Sequence, residues 1–182
     1  MRIKTNQLRA ASVCVSVRDP RPALAGIHIT SKYVEATNGH VAIRMEHSAR
    51  VRKSTVIKIH GRLPLRAEET ELKLGIGEPI AIHYDRHGLR CGVSMVDIIN
   101  SAFPSIDKVI EFTPEEGVPA FACCYLAYPS KMFKGYFHGA KLKFNGERKP
   151  AFITFSREVR EKYGNPLFIV MPQRQVEGDF IV

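Results

Sequence analysis

The residue types that most often do chemistry are present here as seven histidines, four cysteines and a surplus of cations in 182 residues. His83 and His87 are spaced by four, which puts two metal ligands on one side only in a helix. The intervening Tyr84-Asp85-Arg86 reads as strand and turn, and there is no His-Glu-x-x-His or mixed Cys/His ligand set, so no metal site is expected. Cys14, Cys91, Cys123 and Cys124 form no Cys-x-x-Cys pair. Cys123 and Cys124 are adjacent and would face opposite ways on a strand, so reduced, buried thiols are expected instead of a disulfide framework. Gly75-Ile76-Gly77 runs into Glu78-Pro79 without the third glycine or the helix start of a dinucleotide site, and reads as a turn. Serine and histidine occur without a nucleophile elbow. The sequence thus offers no catalytic constellation and no cofactor site.

Charge is the stronger signal. Lys and Arg number 27 against 18 Asp and Glu, a formal net charge of +9. A basic chain of this size often meets a polyanion, because neutralising phosphates releases condensed counterions. Apolar residues make up 45% and charged residues 25%, an ordinary soluble composition. No apolar run approaches the roughly 20 residues of a membrane span. The segment Met1 to Asn6 lacks the apolar core of a secretion signal, so a cytoplasmic protein is expected.

The elements that must position these residues follow from spacing. A helix is expected from Thr5 to about Ser16, capped by Thr5, with Leu8, Ala11 and Val15 on one side. Pro20 and Pro22 end it. Strands follow at Leu24–Thr30, Tyr33–Thr37 and Val41–Glu46, the last two joined by Asn38-Gly39, which would supply the positive φ angles of a two-residue hairpin. After the basic run Arg50-Val51-Arg52-Lys53 come a strand Thr55–Ile59, a short helix from Pro64 through Glu69, and strands Glu71–Leu74, Pro79–Tyr84 and Leu89–Met95, with Ser94–Asn100 as a possible extension. Residues 113–119 read as a connector. Beyond it the pattern gives a strand Ala120–Leu126, a helix from Pro129 to Phe137, and strands Lys141–Phe144, Pro150–Phe155 and Leu167–Val170, with a charged excursion Arg157–Lys162. The order strand, helix, three strands thus recurs three times, an α+β architecture.

Three segments carry a family resemblance. Ala36-Thr37-Asn38-Gly39-His40 is similar to the Ala-Thr-Asp-Gly-His turn in the middle domain of the bacterial sliding clamp, the beta subunit of DNA polymerase III. Phe103-Pro104-Ser105-Ile106-Asp107-Lys108-Val109-Ile110 resembles that domain's exit, Phe-Pro-Asp-Tyr-x-Arg-Val-Ile. Val170-Met171-Pro172-Gln173-Arg174 resembles the family's final Val-Met-Pro-Met-Arg. The resemblance implies the DNA-clamp fold, with residues 1–112 like the middle domain and 113–182 like the end of the C-terminal domain. Nothing matches the family's N-terminal domain.

The family binds short apolar peptides of polymerases and clamp loaders in a groove between those domains. Carried over, its wall would be Leu24, Thr37, Gly39, His40, Val41, Pro104, Lys108, Val109, Ile169, Met171, Pro172 and Arg174. Val41, Ala42 and Gln173 depart from the family's usual residues. Clamps also hold duplex DNA independently of its sequence, through cations on inward helices and loops. Lys4, Arg9, Arg18, Arg21, Lys131 and Lys134 are the candidates. The resemblance therefore implies a non-enzymatic processivity factor, with a phage or prophage as a possible carrier, closing as a homo-oligomeric ring of about four chains. A clamp mimic that takes the same peptides without encircling DNA is the alternative, and a metal-dependent hydrolase a more distant third. The tail Val176–Val182 extends past the family's usual end, and its role is left open.

Overall fold

The computed structural model describes residues 1–16, 18–75, 77–110, 115–136 and 139–173. Its strands are β1 Arg2–Lys4, β2 Ile27–Ile29, β3 Tyr33–Thr37, β4 Val41–Glu46, β5 Thr55–Ile59, β6 Ala67–Lys73, β7 Ile80–Asp85, β8 Arg90–Ile99, β9 Ala140–Lys143, β10 Ala151–Phe155 and β11 Leu167–Val170. The helices are α1 Thr5–Val13, α2 Asp107–Ile110, α3 Cys123–Leu126, α4 Tyr128–Met132 and α5 Arg157–Tyr163. All eleven strands form one antiparallel sheet in the order β1-β6-β7-β8-β5-β2-β3-β4-β11-β10-β9.

Alternation decides which face each strand buries. Val41, Ile43 and Met45 of β4 belong to the core, as do Val34 and Ala36 of β3 and Phe168 and Val170 of β11. Against that face lie Leu8, Ala11 and Cys14 of the first helical segment, Met132 and Phe133 at the end of α4, and Val159 and Tyr163 of α5. Phe133 is wholly buried, with its ring edge-on to Phe155 and Tyr163 at 4.8 and 4.7 Å. One core and one sheet run across the expected division at 112/113, which itself falls among residues outside those described.

β8 is the hinge of the sheet. Its first part pairs with β7 (Met95↔Ile80) and its second with β5 (Val96↔Ile59), so ten residues join the two halves, and the expected extension from Ser94 holds.

Several expectations need correction. The helix expected from Pro64 is absent. Only residues 60–66 separate β5 from β6, and Ala67 already begins a strand that pairs with both β1 and β7. The strand expected at Ala120–Leu126 is helical from Cys123, and the helix expected from Pro129 begins at Tyr128 and is assigned only to Met132. The far end of that expectation, Phe137, lies outside the described residues. The charged excursion Arg157–Lys162 is α5, whose Val159 and Tyr163 recur at i, i+4 and point into the core. Only the first repeat therefore keeps the full order of strand, helix and three strands. Thr5 is the first residue of α1 and does not cap it; its hydroxyl pairs with that of Thr70 at 2.8 Å. The helix is assigned to Val13 and not to Ser16, and a 3-10 helix Pro22–Ala25 precedes the short β2.

Candidate functional site

The turn between β3 and β4 is built by side chains as much as by backbone. Gly39 alone takes the positive φ, +87°; Asn38 does not. Asn38 contributes its Oδ1, which accepts from the backbone N–H of His40 and of Val41, both at 2.9 Å. The Thr37 hydroxyl donates to the Val41 carbonyl at 2.7 Å and accepts from the Gly39 N–H at 3.1 Å. A Cβ on Gly39 would lie 2.8 Å from the Arg21 guanidinium and 3.9 Å from Leu24, so both residues close over the turn. Arg21 is held there by Asp19 through a bidentate pair at 2.8 and 2.9 Å, and this hydrogen bonding lowers the Asp19 carboxyl to about 2.

The second bank comes from β11. Its pairing with β4 sets Ile169 opposite Ala42 and Val170 opposite Val41, and the ladder is prolonged by Met171 N–H donating to the His40 carbonyl at 2.8 Å. Phe168, Ile169 and Val170 are each at most 1% exposed. Burial of such side chains stabilises by about 1.5–3 kcal/mol each, which fixes the chain end that follows. Met171 is 38% exposed and Pro172 half-buried, while Gln173 N–H bonds the Ala120 carbonyl at 2.8 Å. The Asn38 turn and the Met171-Pro172 segment are hydrogen-bonded neighbours, although His40 and Met171 are 131 residues apart in the chain.

The third contributor is α2. Arg44 of β4 reaches Glu35 at 2.6 Å and Asp107 at 2.7 Å, while Glu35 also holds His28 at 2.9 Å. Hydrogen bonding to Arg44 lowers the Asp107 carboxyl below its ordinary value. Phe103 stacks on His28 at 4.6 Å. Arg44 shares its sheet face with Ala42, two residues along β4, so α2 is anchored over the face that carries Ile169. Pro104 and Lys108 are exposed there and Val109 is half-buried.

The expected groove residues thus separate by burial. Gly39, His40, Pro104, Lys108 and Met171 are exposed, while Leu24, Thr37 and Ile169 are buried as backing. Val41 points into the core, 2% exposed; Ala42, noted as a departure from the family but left out of the expected wall, takes the outer face beside Thr37 and Ile169. The two-residue period of β4 carried that signal. Arg174 lies outside the described residues. Two aromatic residues were also missed: Tyr125 stacks on His40 at 5.1 Å, and Tyr128 accepts from the Asn38 side-chain amide at 3.3 Å, so α3 and α4 brace the turn.

The expected DNA contacts do not form one group. Arg9 gives its guanidinium to the carbonyls of Pro64, Leu65 and Ala67, the last two at 3.1 and 3.0 Å. All three bonds come from Nη2, which ties down the connector that stands where a second helix was expected, while Nε is buried without a partner among the described residues. Arg21 sits over the turn, as described. Lys4 lies apart, in a cavity it shares with Glu46 and Glu69. Arg18 is exposed. Lys131 and Lys134 are exposed and share with Arg9 a cavity of about 420 Å3, to which α5 adds Lys162. Lys162 was missed because its segment was not read as helical. His83, one of the paired histidines of the sequence, is buried between the hydroxyls of Thr70 and Ser94 at 2.9 and 3.0 Å, whereas His87 is exposed in a turn.

No family model and no curated protein matches the sequence. Solved structures do match the fold. The DNA polymerase sliding clamp from Caulobacter crescentus superposes with a TM-score of 0.64 at 14% identity, over 96% of this chain and 65% of that one. The DNA polymerase III beta chain from Streptococcus pneumoniae gives 0.65 at 11% identity, over 96% and 64%. A DNA polymerase III beta subunit from Eubacterium rectale gives 0.64 at 10%, over 96% and 65%. The chain spans about 65% of the length of these clamps. The α+β sheet, its helices and the turn paired with β11 together have the fold of the bacterial DNA sliding clamps.

Proposed function

We propose that the chain is a clamp-like DNA tether: a non-enzymatic, cytoplasmic processivity factor that encircles duplex DNA as a homo-oligomer. In this reading it captures apolar peptides of polymerases or clamp loaders between the Asn38 turn and the Met171-Pro172 segment. Residues 1–112 act as a whole clamp domain and 113–182 as part of a second. The observation that carries the reading is the hydrogen bond from Met171 to His40, which joins the two banks within a clamp fold. The exposed surface suits an apolar peptide: Met171 is adaptable, and Pro104 and Pro172 offer no competing N–H. Among the described residues the sheet ends in two strands, β1 and β9, each paired on one side only, which supports head-to-tail addition of further copies. Lys131, Lys134 and Lys162 supply a basic surface for phosphates. Tethering raises the captured partner's effective concentration at the template.

The test is retention on circular duplex DNA, with the particle mass measured by size-exclusion chromatography and light scattering. A ring is retained on the circle, is released when the circle is cut, and has the mass of about four chains. A monomer at micromolar concentration with no topological retention refutes it. One observation favours a second reading. Arg9, the leading inward cation, is held against its own connector through Nη2, so the chain would serve as a mimic that takes clamp-seeking peptides without holding DNA. Peptide binding without DNA association selects that reading.

A further inference from the structure

A cavity of about 850 Å3 opens where residues 50–55 lead into β5. It lies at the strand ends opposite the Asn38 turn: Thr55 pairs with Ile29 of β2, while Thr37 stands at the other end of β3. Arg50, Arg52 and Lys53 line its rim, all exposed. Among the described residues the ion pairs use other cations, and none of the three is neutralised. Among the described residues no Asp or Glu lines the cavity. Three like charges held around a concave surface focus a positive potential that only an anion relieves. The wall behind them is apolar, formed in part by Leu72, Ile98 and the Phe103 ring that stacks on His28. The volume falls within the range of small-molecule sites, about 300–1,000 Å3.

We propose that this cavity binds a nucleotide, its phosphate on Arg50, Arg52 and Lys53 and its organic body against the apolar wall. Guanidinium forks match phosphate oxygens in pairs, and the lysine adds a point charge. The same chemistry is offered by a free nucleotide and by one nucleotide of a single strand. The site is separate from the cavity of Lys131, Lys134 and Lys162 and stands whether or not the chain forms a ring.

The test is fluorescence anisotropy on the whole chain with two probes, labelled ATP and a labelled short oligothymidylate, at low and moderate salt. The triple variant Arg50→Glu, Arg52→Glu, Lys53→Glu changes only exposed side chains, and circular dichroism checks its fold. Its partner is Lys131→Glu with Lys134→Glu. A probe that occupies the cavity weakens at least about tenfold in the triple variant and is unchanged in the pair. With a strand, the slope of log K against log salt falls by about two, at roughly 0.7 per phosphate released. Loss with ATP assigns a free nucleotide; loss with oligothymidylate alone assigns a strand. The proposal is overturned if neither probe binds the native chain, if the triple variant binds as the native chain does, or if both variants weaken alike. It is also overturned if tripolyphosphate competes as well as ATP, since the apolar wall then contributes nothing. Retention on circular DNA is a separate readout, so loss of this site leaves the clamp reading to its own experiment.

Discussion

Gly164 joins α5 to β11, and replacing it with alanine should cost far more than a usual Gly→Ala change. It has φ +74°, and a Cβ there would lie 2.7 Å from the Gln7 amide nitrogen and 3.0 Å from the Glu46 carbonyl carbon. Three chain segments meet at this point. The Glu46 N–H donates to the Gly164 carbonyl at 2.6 Å, and the Gln7 side-chain amide donates to the carbonyls of Glu46 and Tyr163 at 2.6 and 2.8 Å. An L residue in the left-handed region costs about 1–2 kcal/mol. Backbone is in the way, so the junction must open, with a further loss of about 1 kcal/mol per hydrogen bond and more where a buried partner is left unpaired. The expected total is about 3–5 kcal/mol, a large share of the roughly 5–15 kcal/mol of a typical domain. Gly135 is the control: its φ is +79°, yet a Cβ there meets nothing within 4 Å, so Gly135→Ala should cost only about 1–2 kcal/mol. Urea unfolding followed by far-ultraviolet circular dichroism suits a chain without tryptophan. Equal losses for the two variants would refute the reasoning, because left-handed strain would then be the whole effect and the junction would carry none of it.

Arg9→Ala should lower stability by about 1.5–3 kcal/mol, since a charged donor to three carbonyls is removed, and should leave the salt dependence of DNA binding unchanged. A reduced salt slope at native stability would show instead that Arg9 meets phosphate. Burial, and then the charge of Arg9, lowers the folded-state affinity of His83 for a proton. The unfolded chain therefore binds more protons, and the contribution of His83 is complete above its unfolded pKa of about 6.5 and is lost as pH falls below it. Urea unfolding of His83→Gln should accordingly show a shallower decline in stability toward pH 5 than the native chain; parallel declines would exclude His83 as the cause.

Sheet strands with a regular period were legible in the sequence. β3, β4, β5 and β11 lie where alternation and the Asn-Gly turn put them. The turn itself was right in place and wrong in mechanism, because the Asn38 side chain does by hydrogen bonding what positive φ was expected to do. Pro64 misled because a helix-starting proline looks the same before a connector, and only the pairing of β6 with β1 and β7 overrides it. Residues 120–126 misled because a short apolar run has no decisive period; their helical form depends on Tyr125 and Tyr128 packing on a turn some 90 residues earlier. α5 was readable in principle, from Val159 and Tyr163 at helical spacing and glycine directly after. Of the site, the juxtaposition of the two banks came from resemblance, the burial of Val41 was readable from the period of β4, and the tie of Arg9 to its connector is a tertiary fact.

Among the described residues the two edge strands of the sheet, β1 and β9, share a sign of charge. β1 presents Arg2 and Lys4, with Arg2 3.6 Å from Glu69, and β9 presents Lys141 and Lys143, all four of its residues being exposed. Lysines on an unpaired strand discourage indiscriminate edge-to-edge growth. Joining β1 of one copy to β9 of the next would crowd these cations within a Debye length, a repulsion that dissolved ions weaken. The grip on phosphates responds to salt in the opposite direction. A molecule that had both to associate with itself through these edges and to hold a polyanion would work best in a window of intermediate ionic strength, failing below it for want of partners and above it for want of hold.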